Sequence, residues 1–303
     1  MAHEGESLIE NAIASGGCLI DFMTIVPAGE ALGAEIRGVD LRTIGEREFA
    51  EIHRVWLDHL VLLFRGQQLN DDELIGFSRR FGDLDWAPVQ ETGRRFVEGH
   101  PEIYVVSNVI ENGVPIGSLG AGEAVWHTDM SYLEMPPKAS MLYALEVPPL
   151  GGNTYFCNMY RAYECIPQAL KDRIAGLCLK HDATYNSGGY VRQGLEAMDD
   201  PVNSPGVYHP LVTTHPETGR RALYLGRRRN AYVAGLPLEE SEALLDELWD
   251  YATGDELAWS HEWQVGDVVL WDNRATMHRR DSFDASSRRI LHRTQIRGGQ
   301  HPA

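Results

Sequence analysis

Residues 140–157 read SMLYALEVPPLGGNTYFC: two short apolar runs, 140–147 and 154–157, joined by a Pro-Pro-Leu-Gly-Gly turn. The prolines and glycines between the runs separate them by turn chemistry, so the stretch predicts two strands of an antiparallel sandwich or barrel. Working outward, the same kind of run recurs at 34–39, 103–109, 211–214, 222–225, 268–271 and Ile290–Ile296, bounded by turn chemistry such as HPETGR and VGD. Apolar residues at helical spacing mark 46–62, 71–81, 160–177 (broken at Pro167) and 237–251. There is no regular strand–helix alternation, no GxGxxG and no GxxxxGK[ST], which argues against a nucleotide-binding parallel sheet. The expected class is a mainly β, α+β fold with a β core decorated by helices. No period of 20 to 50 residues repeats, so a single domain over 1–303 is expected, with the weakly patterned segments 85–124 and 183–206 as lids.

With 44 acidic against 27 basic side chains the formal charge is −17, which opposes binding to nucleic acid or to an anionic membrane. No apolar run reaches the roughly 20 residues of a membrane helix, and the first 25 residues lack a basic leader, so a cytoplasmic protein is expected. The cysteines, Cys18, Cys157, Cys165 and Cys178, have no metal-type spacing and are too few for a disulfide framework.

The local signal with most chemistry is Trp126-His127-Thr128-Asp129. On a strand, residues i and i+2 share a face, so His127 and Asp129 would present an imidazole and a carboxylate together. His278, just after the apolar run 268–271, is the best candidate for a third ligand; the set would then be the 2-His-1-carboxylate face that suits non-heme Fe(II) and leaves positions open. An HxD tripeptide alone is weak evidence. Its company strengthens it: Arg289 follows His278, and Thr154 follows the glycine pair, a cation and a hydroxyl suited to clamping the far carboxylate of a 2-oxo acid.

These words, together with ALGAEIRGVDL, VLLFRGQQL, SRRFGDL, HPLVTTHPETGRRALYLG, WDNRATMHR and RRILHRTQI, cover nearly the whole chain. They resemble the TauD/TfdA family of Fe(II)- and 2-oxoglutarate-dependent dioxygenases. The resemblance implies a double-stranded β-helix (jelly-roll) core, Fe(II) on His127, Asp129 and His278, and 2-oxoglutarate on Arg289 with Thr154 assisting. It also implies Arg293 facing the substrate's anionic head, O2 as oxidant, and succinate and CO2 as products. Family members commonly self-associate, so a homo-oligomer is an expectation.

The taurine branch carries a histidine where this chain has Ala87, and a tyrosine where it has Gln90. The words around 140–163 resemble the phenoxyalkanoate branch more closely. The implied substrate is a small organic acid, an aryloxyalkanoate such as a phenoxyacetate, with a sulfonate or alkyl sulfate as the alternative within the family. Trp86, Tyr104, Tyr185 and Tyr190 are aromatic wall candidates, each with core or lid packing as the competing reading, and Arg94 and Arg95 are further cations on the first lid. Rival classes fit less well. A halogenase would lack Asp129, a non-catalytic jelly-roll binding protein should have lost one of His127, Asp129, His278 or Arg289, and a zinc hydrolase would leave Arg289 and Thr154 unexplained. His292, His209 and His215 read as packing or hydrogen-bonding residues, Asp272 and Asn273 as turn-formers orienting His278, and Arg227 to Arg229 as a solvated run or an intersubunit contact.

Overall fold

Helix α1 (Glu46–His59) starts where Gly45 donates its N–H to the Glu48 carboxylate, with two glutamates in the first turn to favour the dipole. The apolar pattern predicts that it runs to residue 62, but the chain reverses at Leu60, whose φ is +67°, and enters strand β3 (Val61–Phe64). All four residues of β3 are buried, so the continuous HLVLLF run has no alternation that would separate strand from helix. The computed structural model describes residues 23–88 and 97–303. Gln90, Arg94, Arg95 and Cys18 lie outside them.

Among the described residues, an eight-stranded sheet has the order β1 (Thr24–Pro27), β2 (Ala34–Arg37), β3, β17 (Val268–Asp272), β9 (Ala139–Glu146), β19 (Ile290–Ile296), β4 (Tyr104–Ser107), β7 (Ser118–Leu119). It is antiparallel except for the β2–β3 and β4–β7 pairs. A four-stranded antiparallel sheet has the order β16 (Ala258–His261), β10 (Thr154–Asn158), β18 (Thr276–Arg280), β8 (Ala124–His127). The remaining strands form a three-stranded sheet, β12 (Gly206–Pro210), β11 (Cys178–Asp182), β15 (Tyr232–Val233), and two hairpins, β5 (Ile110–Glu111) with β6 (Val114–Pro115) and β13 (Val212–Thr214) with β14 (Arg221–Leu223).

The large sheet is buried on both faces, and its side chains sort by parity. Leu62, Phe64, Met141, Tyr143, Val268 and Leu270 pack with Ile52, Val55 and Trp56 of α1 and Leu74, Ile75 and Phe77 of α2 (Asp71–Arg79). Val61, Leu63, Leu142, Ala144, Val269 and Trp271 form the other core with Phe156 and Cys157 of β10, Met277 of β18 and the leucines of α5 (Leu238–Ala252). At about 1.5–3 kcal/mol for each large side chain buried, these two layers carry most of the gross stabilisation. The predicted helix over 160–177 is two short ones, α3 (Met159–Cys165) and α4 (Gln168–Ile174); Ile166 before Pro167 is extended, as a pre-proline residue prefers. No helix among the described residues is long and apolar enough to cross a membrane. Segment 85–124 is more than a lid, because it supplies the fully buried strand β4 to the large sheet.

Candidate metal centre and adjoining cavities

The second core encloses a polar site. Strand β18 lies between β10 and β8, and its register sets His278 opposite Phe156 on one side and His127 on the other. The two imidazole rings sit 4.1 Å apart at 46°. Asp129 lies two residues beyond the end of β8, in a turn, so strand alternation alone does not place it beside His127. Asn273 does: its side chain accepts from the Asp129 N–H at 2.8 Å and donates to the Asp129 carbonyl and to Pro137, each at 2.9 Å. Asn273 was expected to orient His278, and it instead clamps the backbone of the carboxylate. Asp272 is engaged elsewhere, with His215 and Arg274.

His127, Asp129 and His278 offer ligand atoms that all lie within 4.8 Å of one another. Each donor is prepared for a cation. His127 Nδ1 lies 2.8 Å from the Val125 carbonyl, which fixes its proton there and leaves Nε2 with a free lone pair. Ser140 donates to Asp129 Oδ2 at 2.7 Å, leaving Oδ1 turned toward His127 Nε2 at 3.7 Å and toward Arg293 Nη1 at 3.1 Å. Burial would raise the Asp129 carboxyl, but Arg293 and the two histidines outweigh it and hold the group well below the usual carboxylate range. Burial, reinforced by His127, pushes His278 down to about 3, so its imidazole is neutral and able to ligate. Two imidazoles and a carboxylate, grouped on one side, fit a divalent ion with open positions for small ligands.

Two cavities adjoin this triad. The first is lined by Thr154, Trp271, His278, Arg280, Arg289 and Arg293. Thr154 Oγ1 accepts from Trp263 Nε1 at 2.9 Å, which leaves its own hydroxyl proton to point into the cavity. The Arg289 guanidinium is 5.9 Å from the Trp263 ring centroid, and burial beside Arg280 disfavours its charged form in the absence of an anion. Gly152 makes this approach possible: its φ is +68°, and a Cβ there would meet Arg289 Nε at 3.4 Å and Phe283 at 3.3 Å.

The second cavity, of about 400 Å³, opens from His127 and Asp129 and is lined by Pro88, Tyr104, Met130, Tyr132, Arg192, Arg227 and Arg293 among others. Arg293 stacks over Tyr104 at 4.7 Å, and Arg192 stacks over Tyr132 at 3.9 Å while donating to its hydroxyl at 3.1 Å. Arg227 is paired with buried Asp182 at 3.0 Å.

Several expectations need correction here. Trp86 does not line the cavity; it is 65% exposed, while its neighbours Ala87 and Pro88 turn inward. Tyr185 is buried but outside the cavity lining, beneath the Arg229 guanidinium at 3.4 Å. Tyr190 is also exposed. The aromatic wall is therefore Tyr104 and Tyr132. Of the 227–229 run, Arg227 turns inward to line the second cavity, while Arg228 pairs with Glu242 and Asp246 and the exposed Arg229 with Asp199 at the surface. Sequence reasoning missed Ser140, Trp263, Arg192 and Arg280, whose residue types carry no motif. His292 lies 2.6 Å from Asp71, and His209 faces the Ser131 and Leu133 carbonyls, as packing residues should.

Comparison with known proteins agrees with this geometry. Residues 24–295 match the family profile described as taurine catabolism dioxygenase TauD, TfdA family. The chain is 36% identical over 276 residues to the alpha-ketoglutarate-dependent 2,4-dichlorophenoxyacetate dioxygenase of Cupriavidus pinatubonensis, covering 88% of this chain and 95% of that one. It is 31% identical to the (S)-phenoxypropionate/alpha-ketoglutarate-dioxygenase of Delftia acidovorans, covering 91% and 95%. The crystal structure of AAD-2 in complex with Mn(II) and N-oxalylglycine superposes with a TM-score of 0.75 at 28% identity, covering 93% of this chain and all of the other.

Proposed function

Because the chain belongs to the TauD/TfdA family and is an Fe(II)- and 2-oxoglutarate-dependent dioxygenase, we propose that His127, Asp129 and His278 hold its iron and that it hydroxylates an aryloxyalkanoate. When bound, iron and 2-oxoglutarate supply the oxidation: O2 gives one atom to succinate, with loss of CO2, and one to a substrate C–H. The protein's own residues do the positioning. Arg289, with Thr154 beside it, holds the far carboxylate of 2-oxoglutarate by a planar two-point contact. Arg293, which lines the cavity beside His127 and Asp129, would offer its guanidinium to the substrate's carboxylate, and the Tyr104 and Tyr132 rings would receive the apolar body. Hydroxylation of the carbon next to the ether oxygen makes a hemiacetal, which collapses to a phenol and a 2-oxo acid, so the ether is cleaved.

The observation that carries this reading is the 400 Å³ cavity at the triad, with cations on two aromatic rings and no histidine at Ala87. The layered sheets, with the triad between them, support a double-stranded β-helix core in one domain. Val125 of β8 donates its N–H to the Ser187 carbonyl at 3.1 Å, which ties the 183–206 segment to the strand that carries His127 and supports its role as a cover. The test is succinate released per minute from phenoxyacetate, 2-phenoxypropionate, taurine and an alkyl sulfate with Fe(II) and 2-oxoglutarate. The aryloxy acids should be fastest. Faster turnover of taurine or the sulfate ester would overturn the substrate assignment and leave the iron chemistry standing.

A further inference from the structure

Strand β18 carries two functional side chains on one face, His278 and, two residues on, Arg280. The register between β10 and β18 sets Arg280 directly opposite Thr154, the hydroxyl assigned above to the co-substrate. Arg280 is 6% exposed and Arg289 is 2% exposed, and both line the same small cavity. Their guanidinium carbons flank one ring, at 5.5 Å and 5.9 Å from the centroid of Phe283.

The charge balance at this end is unusual. The other deeply buried arginines each meet a carboxylate: Arg293 meets Asp129 and Arg227 meets Asp182. Arg280 and Arg289 meet none among the described residues, and the Nε of each has no hydrogen-bond partner there. What Arg280 does contact is neutral: its Nη2 donates to the carbonyls of Leu119 and Gly122. Two uncompensated guanidiniums side by side in a buried cavity are costly unless an anion lies between them. One distal carboxylate, with oxygens on two sides, satisfies both.

We infer that Arg280 is a second cation for the distal carboxylate of the 2-oxo acid, opposite Arg289, and makes the site selective for dicarboxylate over monocarboxylate co-substrates. This rests on reading the Arg289 end as the co-substrate end. The competing role for Arg280 is purely structural, a staple holding the loop of Leu119 and Gly122 over the cavity.

A pair of ligands separates the two roles. 2-Oxoglutarate and 2-oxopentanoate have the same chain length, but only the first has a distal carboxylate. Each is titrated by calorimetry into Mn(II)-loaded protein, where no turnover occurs. R280Q should weaken 2-oxoglutarate about 10- to 100-fold, the scale of one hydrogen bond to a charged group, and leave 2-oxopentanoate within about twofold. R280K should fall between wild type and R280Q for 2-oxoglutarate alone, and it carries the test if R280Q does not fold. Equal weakening of both ligands, or 2-oxoglutarate binding unchanged in R280Q, overturns the inference. R289Q is the control: if it leaves 2-oxoglutarate binding intact, the assignment of the co-substrate end fails, and the role of Arg280 with it.

Discussion

Asn273→Ala tests whether the carboxylate ligand is positioned from behind. The side chain is almost fully buried and makes three hydrogen bonds, two to the backbone of Asp129 and one to Pro137. Truncation removes all three and strands a buried N–H and two carbonyls; at about 1 kcal/mol for each bond, more where no water can enter, the loss is about 3–4 kcal/mol. For a chain of this size that lowers Tm by roughly 6–12 °C. Because Asp129 sits in a turn just past β8, the freed backbone no longer holds Oδ1 beside His127, and Mn(II) affinity should fall about 10- to 100-fold, as when an outer partner of a metal ligand is lost. Metal titration by calorimetry, run below the variant's melting range, reads this directly. Serine 140 gives a second handle: Ser140→Ala removes only the donor to Asp129 Oδ2, with a smaller loss of stability and a weaker metal. If both variants keep the wild-type Mn(II) affinity within twofold, the hydrogen bonds serve the fold alone and the positioning argument is refuted.

Other consequences follow from the site's surroundings. Arg289→Lys keeps the charge but not the planar fork, so the 2-oxoglutarate concentration for half-maximal succinate release should rise at least tenfold while metal binding stays unchanged; an unchanged titration curve would assign the clamp elsewhere. Arg192→Met should raise KM for an aryloxy acid several-fold and leave 2-oxoglutarate affinity alone, since Arg192 lines only the larger of the two cavities at the triad. Glu217 is held at about 2, from an ordinary 4.5, by its bond to His53 against the opposing pull of burial, with Arg274 helping. Its contribution to stability is therefore complete above pH 4.5 and is lost as the pH falls toward 2, so Glu217→Gln should lower Tm at pH 7 more than at pH 3. Equal losses at both values would show that the pairing does not act through charge.

Much of the architecture could be read from side-chain pattern, and the gaps have physical causes. Strand β19 is bounded as expected because turn residues, Asp284–Ser287 before it and Gly298–Gly299 after it, mark its ends, even though its interior reads LHRTQ. Strand β18, which carries His278, reads TMHRR and looks like a charged loop; it is a strand because its alternate polar side chains point into an enclosed polar site rather than into water. Strand β11, CLKHD, was missed for the same reason, with Lys180, His181 and Asp182 all buried. The grouping of His127, Asp129 and His278 and the place of Arg289 at the adjoining cavity were legible because their residue types and the words around them carry chemistry. The clamp of Asn273 on the Asp129 backbone and the bonds of Ser140 to Asp129 and of Trp263 to Thr154 were not, since a side-chain hydrogen bond leaves no periodic trace. Trp86 and Tyr185 failed as wall residues because a local sequence window shows that an aromatic is nearby but not which way the loop turns it.

With iron assigned to His127, Asp129 and His278 as proposed, the direct pairing of His278 with His127 also sets when iron can enter. The two ligands come from opposite parts of the chain, 151 positions apart, and closing such a loop costs roughly 4 kcal/mol in chain entropy before any contact repays it. An unfolded or nascent chain can therefore offer iron only His127 and Asp129, a two-point site of low affinity. The complete trap exists only after β8 has docked against β18 at the margin of the small sheet, which makes capture a late event and the iron-free protein an obligatory, already folded precursor. Iron then selects the native state by mass action, adding about 2.7 kcal/mol at a hundredfold excess over its Kd.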